Sequence, residues 1–193
     1  MRRIGAALAA LVLAGAGVGA AATSAGAAPA TAARAAACPT GWGSGTKSGA
    51  ATGTVPLKNI RTARHDCYDR MVVDVPGGGD VGYHVQYVDR LHQDGSGDYI
   101  PVGGGAVLEI RVSAPSYAPD SGTPTYPGNV GRPLPGVDVD GYNTFRDTRF
   151  AGSLEGETQI GLGVRARLPF RVIQLPDRLV VDVAHSWTSS RSA

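Results

Sequence analysis

The side chains that could carry out covalent chemistry in this chain do not stand at the spacings that such chemistry needs. The sequence contains neither a G-x-S-x-G nucleophile elbow nor an S-x-x-K motif. His65 and Asp66 are adjacent, and adjacent side chains of a strand point to opposite faces, which is a poor geometry for a catalytic dyad. Cys67 follows them, but Cys38 offers its thiol a disulfide partner. We therefore expect no catalytic residue and no enzymatic activity.

Metal and cofactor motifs also fail on local sequence. The four histidines show no H-E-x-x-H or H-x-H spacing, so no metal site is predicted. Residues 161–166 match the dinucleotide fingerprint G-x-G-x-x-A. That fingerprint binds pyrophosphate where its last small residue opens a helix, and Pro169 would end such a helix after one turn. We predict no cofactor.

The N-terminus has the pattern of an export signal. Arg2 and Arg3 precede an uncharged run over residues 4–22, and residues 25–27 fit the A-x-A cleavage pattern. We predict a cleaved signal peptide over residues 1–27, no stable membrane insertion after cleavage, and a secreted or cell-wall-associated protein. A retained membrane anchor and a lipoprotein acylated at Cys38 are the alternatives.

The net charge of +2 belongs to this predicted signal. Of the 18 basic residues two lie in the signal, so the remainder equals the 16 acidic residues. A neutral chain offers no clustered basic excess for phosphate contacts, and we therefore expect no nucleic acid partner. The sequence does not indicate an oligomeric state.

Cys38 and Cys67 would meet in an oxidising compartment, and we predict one disulfide between them. It would close a loop of about 30 residues and stabilise the fold by roughly 3–4 kcal/mol on the chain-entropy model. Residues 28–53 hold Trp42 as their one large side chain, which predicts a flexible leader. The folded domain is predicted over 54–187, with a disordered tail over 188–193.

Beyond the leader, apolar residues alternate with polar ones in short runs separated by glycine and proline. Such runs predict strands, and no later window has a sustained helical stripe. We predict an all-β domain, a small antiparallel β-sandwich or partly open barrel of seven to eight strands, with little helix outside the signal. Residues 69–75 recur almost unchanged as 177–183. We interpret them as two strands that face one core; an ancient duplication is the alternative.

Residues 113–141 form a long segment with six prolines and five glycines. Loops of this length in compact domains are usually functional or disordered, although a plain crossover connection between two sheets is the alternative. Tyr117 and Tyr126 lie within it and Tyr142 directly follows it. We expect these tyrosines to stack on sugar rings.

The chain resembles the actinobacterial AMIN-like domain in the order and spacing of six segments. These are residues 64–75, 82–88, 103–108, 161–163, 169–172 and 178–185. The motif R-L-V-V-D-V makes this domain distantly similar to the AMIN domains of cell-wall amidases and secretins. The resemblance implies a β-sandwich of the cell envelope that binds peptidoglycan or a related polysaccharide. It implies no catalytic residues.

These observations predict a secreted, non-enzymatic module that binds peptidoglycan or another cell-wall polysaccharide. Tyr117, Tyr126 and Tyr142 would stack on the sugars, and Arg165 and Arg167 would bind carboxylates. The first alternative is a protein–protein interaction module that recruits another exported envelope protein. The second is a small cell-wall hydrolase that uses carboxylates not yet assigned.

Overall fold

The computed structural model describes Cys38 and residues 41–187; the predicted signal peptide, most of residues 28–40 and the predicted tail lie outside the described residues. The described residues contain no helix and form eleven strands. Their bounds are β1 Lys47–Gly49, β2 Asn59–Arg64, β3 Tyr68–Asp74, β4 Tyr83–Val88, β5 Leu91–His92, β6 Tyr99–Ile100, β7 Ala106–Val112, β8 Phe145–Leu154, β9 Glu157–Val164, β10 Phe170–Leu175 and β11 Arg178–Ala184.

Every strand pair is antiparallel, and the strands form two large sheets and one hairpin. The five-stranded sheet has the order β1-β4-β7-β9-β8, and the four-stranded sheet has the order β10-β11-β3-β2. β5 and β6 pair only with each other. The sheets face each other without closing into a barrel, so the sandwich prediction is confirmed. The strands beyond the predicted seven or eight are β1, β5 and β6, which have only two or three residues each.

The core lies between the two large sheets and follows the period-two alternation. Fully burying one aliphatic side chain contributes about 1.5–3 kcal/mol, so this layer supplies most of the stabilising free energy. The five-stranded sheet contributes Val85, Leu108, Ile110, Ile160 and Leu162, and the four-stranded sheet contributes Met71, Val73, Leu179, Val181 and Val183.

The two nearly identical segments, 69–75 and 177–183, lie side by side. They pair antiparallel in β3 and β11 with Val72 opposite Val180. Because Arg is second and Asp sixth in each copy, this register places Arg70 opposite Asp182 and Arg178 opposite Asp74. The two segments therefore place opposite charges across from each other in addition to supplying apolar residues to the core.

The predicted flexible leader is wrong for its second half. Residues 47–49 form β1 on the edge of β4, and the Phe170 amide donates to the Gly43 carbonyl at 2.9 Å. The Gln174 side chain also donates to the Ala50 carbonyl at 2.7 Å. A segment poor in apolar side chains is ordered here because it supplies main-chain hydrogen bonds to sheet edges that already exist.

The segment 113–141 is a crossover connection that runs along the side of the sandwich. The Gly131 amide donates to the Phe150 carbonyl at 2.8 Å, and the Phe150 amide donates to the Arg132 carbonyl at 2.9 Å, along the edge of β8. Next to its far end, the Tyr142 hydroxyl donates to Thr62 Oγ1 on β2 at 3.0 Å. The connection thus covers an edge strand of each large sheet, and the alternative of a plain connection describes it better than a free recognition loop.

The β5–β6 hairpin lies on the outer face of the five-stranded sheet and forms a second small core there. Leu91, Ile100 and Ala151 are buried together. Two glycines of β9 make this approach possible. A Cβ atom at Gly161 would lie 2.4 Å from Leu91 Cδ2, and one at Gly163 would lie 1.8 Å from the Gly103 carbonyl oxygen. The G-x-G of the dinucleotide fingerprint therefore serves close packing within a strand.

Candidate functional site

A groove lies where the β5–β6 hairpin meets the five-stranded sheet. Its volume is about 400 Å³, and the end of β4, the hairpin, the start of β7 and the β9–β10 connection line it. We call it the Tyr87–Tyr99 groove. Its side chains able to contact a polar ligand are Tyr87, Asp89, Arg90, Tyr99 and Arg167.

Tyr87 forms a rigid wall of the groove. Its hydroxyl donates to the Leu168 carbonyl at 2.8 Å and accepts from the Leu168 amide at 3.0 Å, which holds the ring in place. Burial raises the pKa of Tyr87 to about 12 against smaller lowering effects of the Leu168 hydrogen bond and the Arg167 charge. The phenol is therefore neutral, and the guanidinium of Arg167 lies 5.1 Å from the ring centroid.

Tyr99 forms the opposing, exposed part of the lining. It lies on β6, and 57% of its surface is accessible. The Arg90 guanidinium lies 5.8 Å from its ring centroid, and the His92 ring lies 5.9 Å away. Because much of the ring is exposed, a ligand in the groove can pack against it.

The groove carries positive charge. Within the described residues, neither Arg90 nor Arg167 has a carboxylate within salt-bridge distance. Arg167 reaches only Ser44, at 3.5 Å. Asp89 is the acidic residue among those that line the groove, so the formal charge of the lining is +1. Both guanidinium groups keep donors available to a ligand.

Trp187 extends the aromatic surface next to this groove. Its indole Nε1 donates to the Arg167 carbonyl at 3.0 Å, and 57% of the residue surface is accessible. An exposed indole that is fixed by a hydrogen bond to a groove residue presents a second surface for stacking.

The structure places the three predicted tyrosines away from the groove. Tyr126 is 3% exposed and belongs to the core, with its hydroxyl donating to the Pro135 carbonyl at 2.9 Å. The expectation that Tyr126 stacks on a sugar is wrong, because its ring faces are inside the protein. Tyr142 is half-buried and stacked on Phe145 at 5.6 Å. Tyr117 is half-buried in a bridge with Pro124.

The two predicted arginines have different surroundings. The Arg165 guanidinium donates to the main-chain carbonyls of Asn143 and His185, and so joins the start of β8 to the end of β11. Arg167 lines the groove. Arg165 and Arg167 are therefore only two positions apart, yet Arg165 makes structural contacts and Arg167 faces the groove.

The buried carboxylates are all engaged within the fold. Asp69 accepts from the Thr144 and Phe145 amides, and Asp182 accepts from Arg70 and Arg171. Burial alone would raise the pKa of Glu109, but hydrogen bonds from glutamine side chains and the Arg111 charge outweigh burial and lower this pKa. Among the described residues, no three Cys, His or acidic side chains are grouped to hold a metal ion.

Sequence reasoning missed Tyr87, Arg90, Tyr99 and Trp187. One local signal was present for Tyr99, because it directly follows Asp94-Gly95-Ser96-Gly97-Asp98, whose glycines and aspartates are typical of a hairpin loop. Nothing local links Tyr99 to Arg167, 68 positions later along the chain. Their proximity depends on how the hairpin folds back over the sheet.

The fold and site together define a small, disulfide-bonded β-sandwich domain with an aromatic and basic groove. Cys38 and Cys67 are bonded as predicted. The family model for the AMIN-like domain matches residues 55–185, and the chain belongs to the AMIN-like domain family. No curated protein and no solved structure gave a significant match.

Family and disulfide together indicate a cell-envelope module outside the cytoplasm, since disulfides persist in oxidising compartments. Within the part of the chain that the structure describes, no helix has the length and apolarity needed to span a membrane.

Proposed function

We propose that this chain is an exported, non-enzymatic module of the cell envelope that binds peptidoglycan or another cell-wall polysaccharide through the Tyr87–Tyr99 groove. The observation that carries the proposal is one groove of about 400 Å³ that holds an exposed tyrosine ring and two guanidinium groups, neither of which has a carboxylate partner among the described residues. Such convergence of aromatic surface and a few polar groups is typical of small-ligand sites.

The chemistry of a glycan suits this lining. Sugar rings carry apolar C–H faces that pack on aromatic rings, and polar groups at their edges that accept hydrogen bonds from arginine. Tyr99 supplies the accessible ring, and Arg90 and Arg167 supply the donors. No proton transfer or nucleophile is needed for this function.

Recruitment of a protein partner by strand addition is less favoured by the geometry. That mode requires an open strand edge. Part of the β8 edge already pairs with Gly131 and Arg132, and β2 is contacted by Tyr142 and by the Leu57–Thr125 hydrogen bond nearby. A hydrolase, the third possibility, would release soluble fragments from cell wall.

The test is co-sedimentation of the disulfide-bonded protein, without residues 1–27, with purified sacculi. Tyr99→Ala should weaken retention about tenfold, because one aromatic contact contributes on the order of 1 kcal/mol or more. Tyr117→Ala is the matched control, since Tyr117 lies outside the groove and should not change retention.

Three results would contradict the proposal. The protein could stay in the supernatant, or both tyrosine variants could behave alike. Retention could also disappear when the sacculi are first digested with protease, which would indicate a protein partner. Soluble fragments released during incubation would instead indicate a hydrolase.

A further inference from the structure

We propose that the Tyr87–Tyr99 groove recognises acidic glycans, with Arg90 and Arg167 binding sugar carboxylates and with Trp187 holding a further part of the same polymer. This inference rests on the proposed function and specifies its ligand class. It commits to a carboxylate-bearing polysaccharide over a neutral one.

The first argument compares these two arginines with others in the protein. Most arginines of the sheet faces are paired with carboxylates at 2.5–2.9 Å; these are Arg61, Arg70, Arg111, Arg149 and Arg171. Arg90 and Arg167 lie against tyrosine rings instead, and no carboxylate of the described residues is within salt-bridge distance. The groove therefore contains two guanidinium groups that no carboxylate of the described residues pairs at salt-bridge distance, and with Asp89 its lining keeps a formal charge of +1.

The second argument concerns which N–H donors of the Arg90 and Arg167 guanidinium groups are free. A guanidinium that lies over an aromatic ring uses its face for that contact and leaves its N–H groups at the edge available. Those N–H groups form a fork that matches a carboxylate with two parallel hydrogen bonds. The Arg167 guanidinium lies 5.1 Å from the centroid of the Tyr87 ring, which Leu168 holds in place. Its Nε and Nη2 reach Ser44 at 3.5 Å, so its remaining N–H donors are the ones open to a carboxylate.

The third argument concerns the length of the ligand. Tyr99 is exposed within the groove, and Trp187 is exposed beside Arg167, outside the residues that line the groove. The two rings lie on different elements, the hairpin and the segment after β11. A chain of several sugars could contact both rings, and Asp89 could accept hydrogen bonds from sugar hydroxyls.

Carboxylates could come from two sources in a cell wall. One is the peptidoglycan strand itself, whose lactyl groups become carboxylates when the peptides are removed. The other is a polysaccharide that contains uronic acids. Both present the same chemistry to the groove, and the experiment uses one probe of each kind.

The experiment uses Trp187 as a reporter. The protein has two tryptophans, so Trp42→Phe leaves Trp187 as the only one. This variant is titrated with peptide-free glycan strands and with a uronic acid oligosaccharide, each beside a carboxyl-reduced control. We expect Trp187 emission to change on binding, and both acidic probes, or one of them, to bind at least about tenfold more tightly than the reduced control. Calorimetry on the protein with both tryptophans should give the same preference.

Arg90→Gln and Arg167→Gln should each weaken binding of the acidic probe about tenfold and weaken binding of the reduced control by a clearly smaller factor, because only the acidic probe loses a charge-assisted hydrogen bond. Arg178→Gln is the matched control, because Arg178 is exposed on the four-stranded sheet, outside the groove, and should have no effect. Added salt should weaken binding of the acidic probe by the parent protein more than by the Arg90/Arg167 double variant. Thermal unfolding confirms that each variant is folded.

The results separate the two proposals. Equal affinity for acidic and reduced probes, with sacculus binding intact, would overturn this inference and leave the proposed function standing. Binding of the acidic probe that is insensitive to both arginine variants would also overturn it. Loss of sacculus binding together with loss of all glycan binding would overturn both.

Discussion

At the residue scale, glycines determine how closely the β5–β6 hairpin can approach β9. Gly161 and Gly163 leave two positions on the outer face of β9 without a side chain; Leu91 and Val102 fill the space at the first, and the Gly103 backbone fills it at the second. The hairpin carries Tyr99, so this close packing also positions one wall of the groove. Gly161 and Gly163, which match a dinucleotide-binding motif in the sequence, therefore help to position the Tyr87–Tyr99 groove instead.

Gly163→Ala is expected to lower the free energy of unfolding by about 2 kcal/mol or more, because the new Cβ would lie 1.8 Å from a backbone oxygen that cannot turn aside. Denaturant unfolding measures the change. Gly45→Ala is the control, since a Cβ at Gly45 meets nothing within 4 Å. Equal stability of the two variants would show that the hairpin does not pack as described.

At the scale of elements, the β3–β11 pair shows how one motif acquires two environments. Asp182 is fully buried and binds both Arg70 and Arg171. Its counterpart Asp74 is partly exposed and binds Arg61 at 2.9 Å. Both β3 and β11 are inner strands of the four-stranded sheet, so strand order does not explain the difference. Asp74 is the last residue of β3, whereas Asp182 lies within β11, where Arg70 and Arg171 both reach it.

Asp182→Asn should therefore cost about 2 kcal/mol of unfolding free energy, because it leaves two guanidinium groups without their shared anion. The cost is below the 3–5 kcal/mol of fully buried pairs since both arginines are partly solvated. Asp74→Asn, which removes an exposed pair, should cost less than about 1 kcal/mol. Denaturant unfolding of the two variants side by side checks this, and similar losses would contradict the assignment.

Another element, the 113–141 connection, covers an edge of the sandwich. It meets the edge of β8 through Gly131 and Arg132, and its core residue Tyr126 packs near Phe150 with ring centroids 6.2 Å apart. Proline and glycine suit a segment that must stay extended and turn repeatedly. The proline and glycine content of the connection thus suits its course along the sheet edges, and the buried Tyr126 holds the connection against the sandwich.

At the scale of the whole molecule, both open sides of the sandwich are covered by segments outside the main strands. The 113–141 connection covers the β8 and β2 side, and residues 43–50 contact β4 and β10 on the other. The disulfide ties down the chain just before this second segment. Cys38 is bonded to Cys67, which directly precedes β3. Trp42 then packs over Arg171 at 4.4 Å and against Tyr68.

Replacing both cysteines by serine should lower the free energy of unfolding by roughly 3–4 kcal/mol, the entropy of a loop of about 30 residues. In a Trp187→Phe background, the emission of Trp42 should also shift towards that of an exposed indole, because the tether that keeps it near Arg171 is lost. Denaturant unfolding and fluorescence measure the two effects. Unchanged stability and unchanged emission would show that residues 41–50 are held without the disulfide.

Features that depend on neighbouring residues along the chain could be predicted from the sequence. Alternation within short runs predicts the strands, and two cysteines behind a predicted export signal predict the disulfide. The motifs of 64–75 and 178–185 also indicate the family that residues 55–185 match. Order in residues 41–53 was not predicted, because those residues are held by backbone contacts to distant edges.

Which side chains form the candidate site depends on contacts between distant parts of the chain, and the sequence did not reveal them. Tyr126 is in a proline-rich loop that suggests exposure, yet the loop folds against the sandwich and buries the ring. Tyr87, Tyr99 and Arg167 come from three elements, and they converge because β4 and β9 flank β7 while the hairpin folds over the sheet. Strand order is a non-local property, and one chain's alternation does not encode which strands become neighbours.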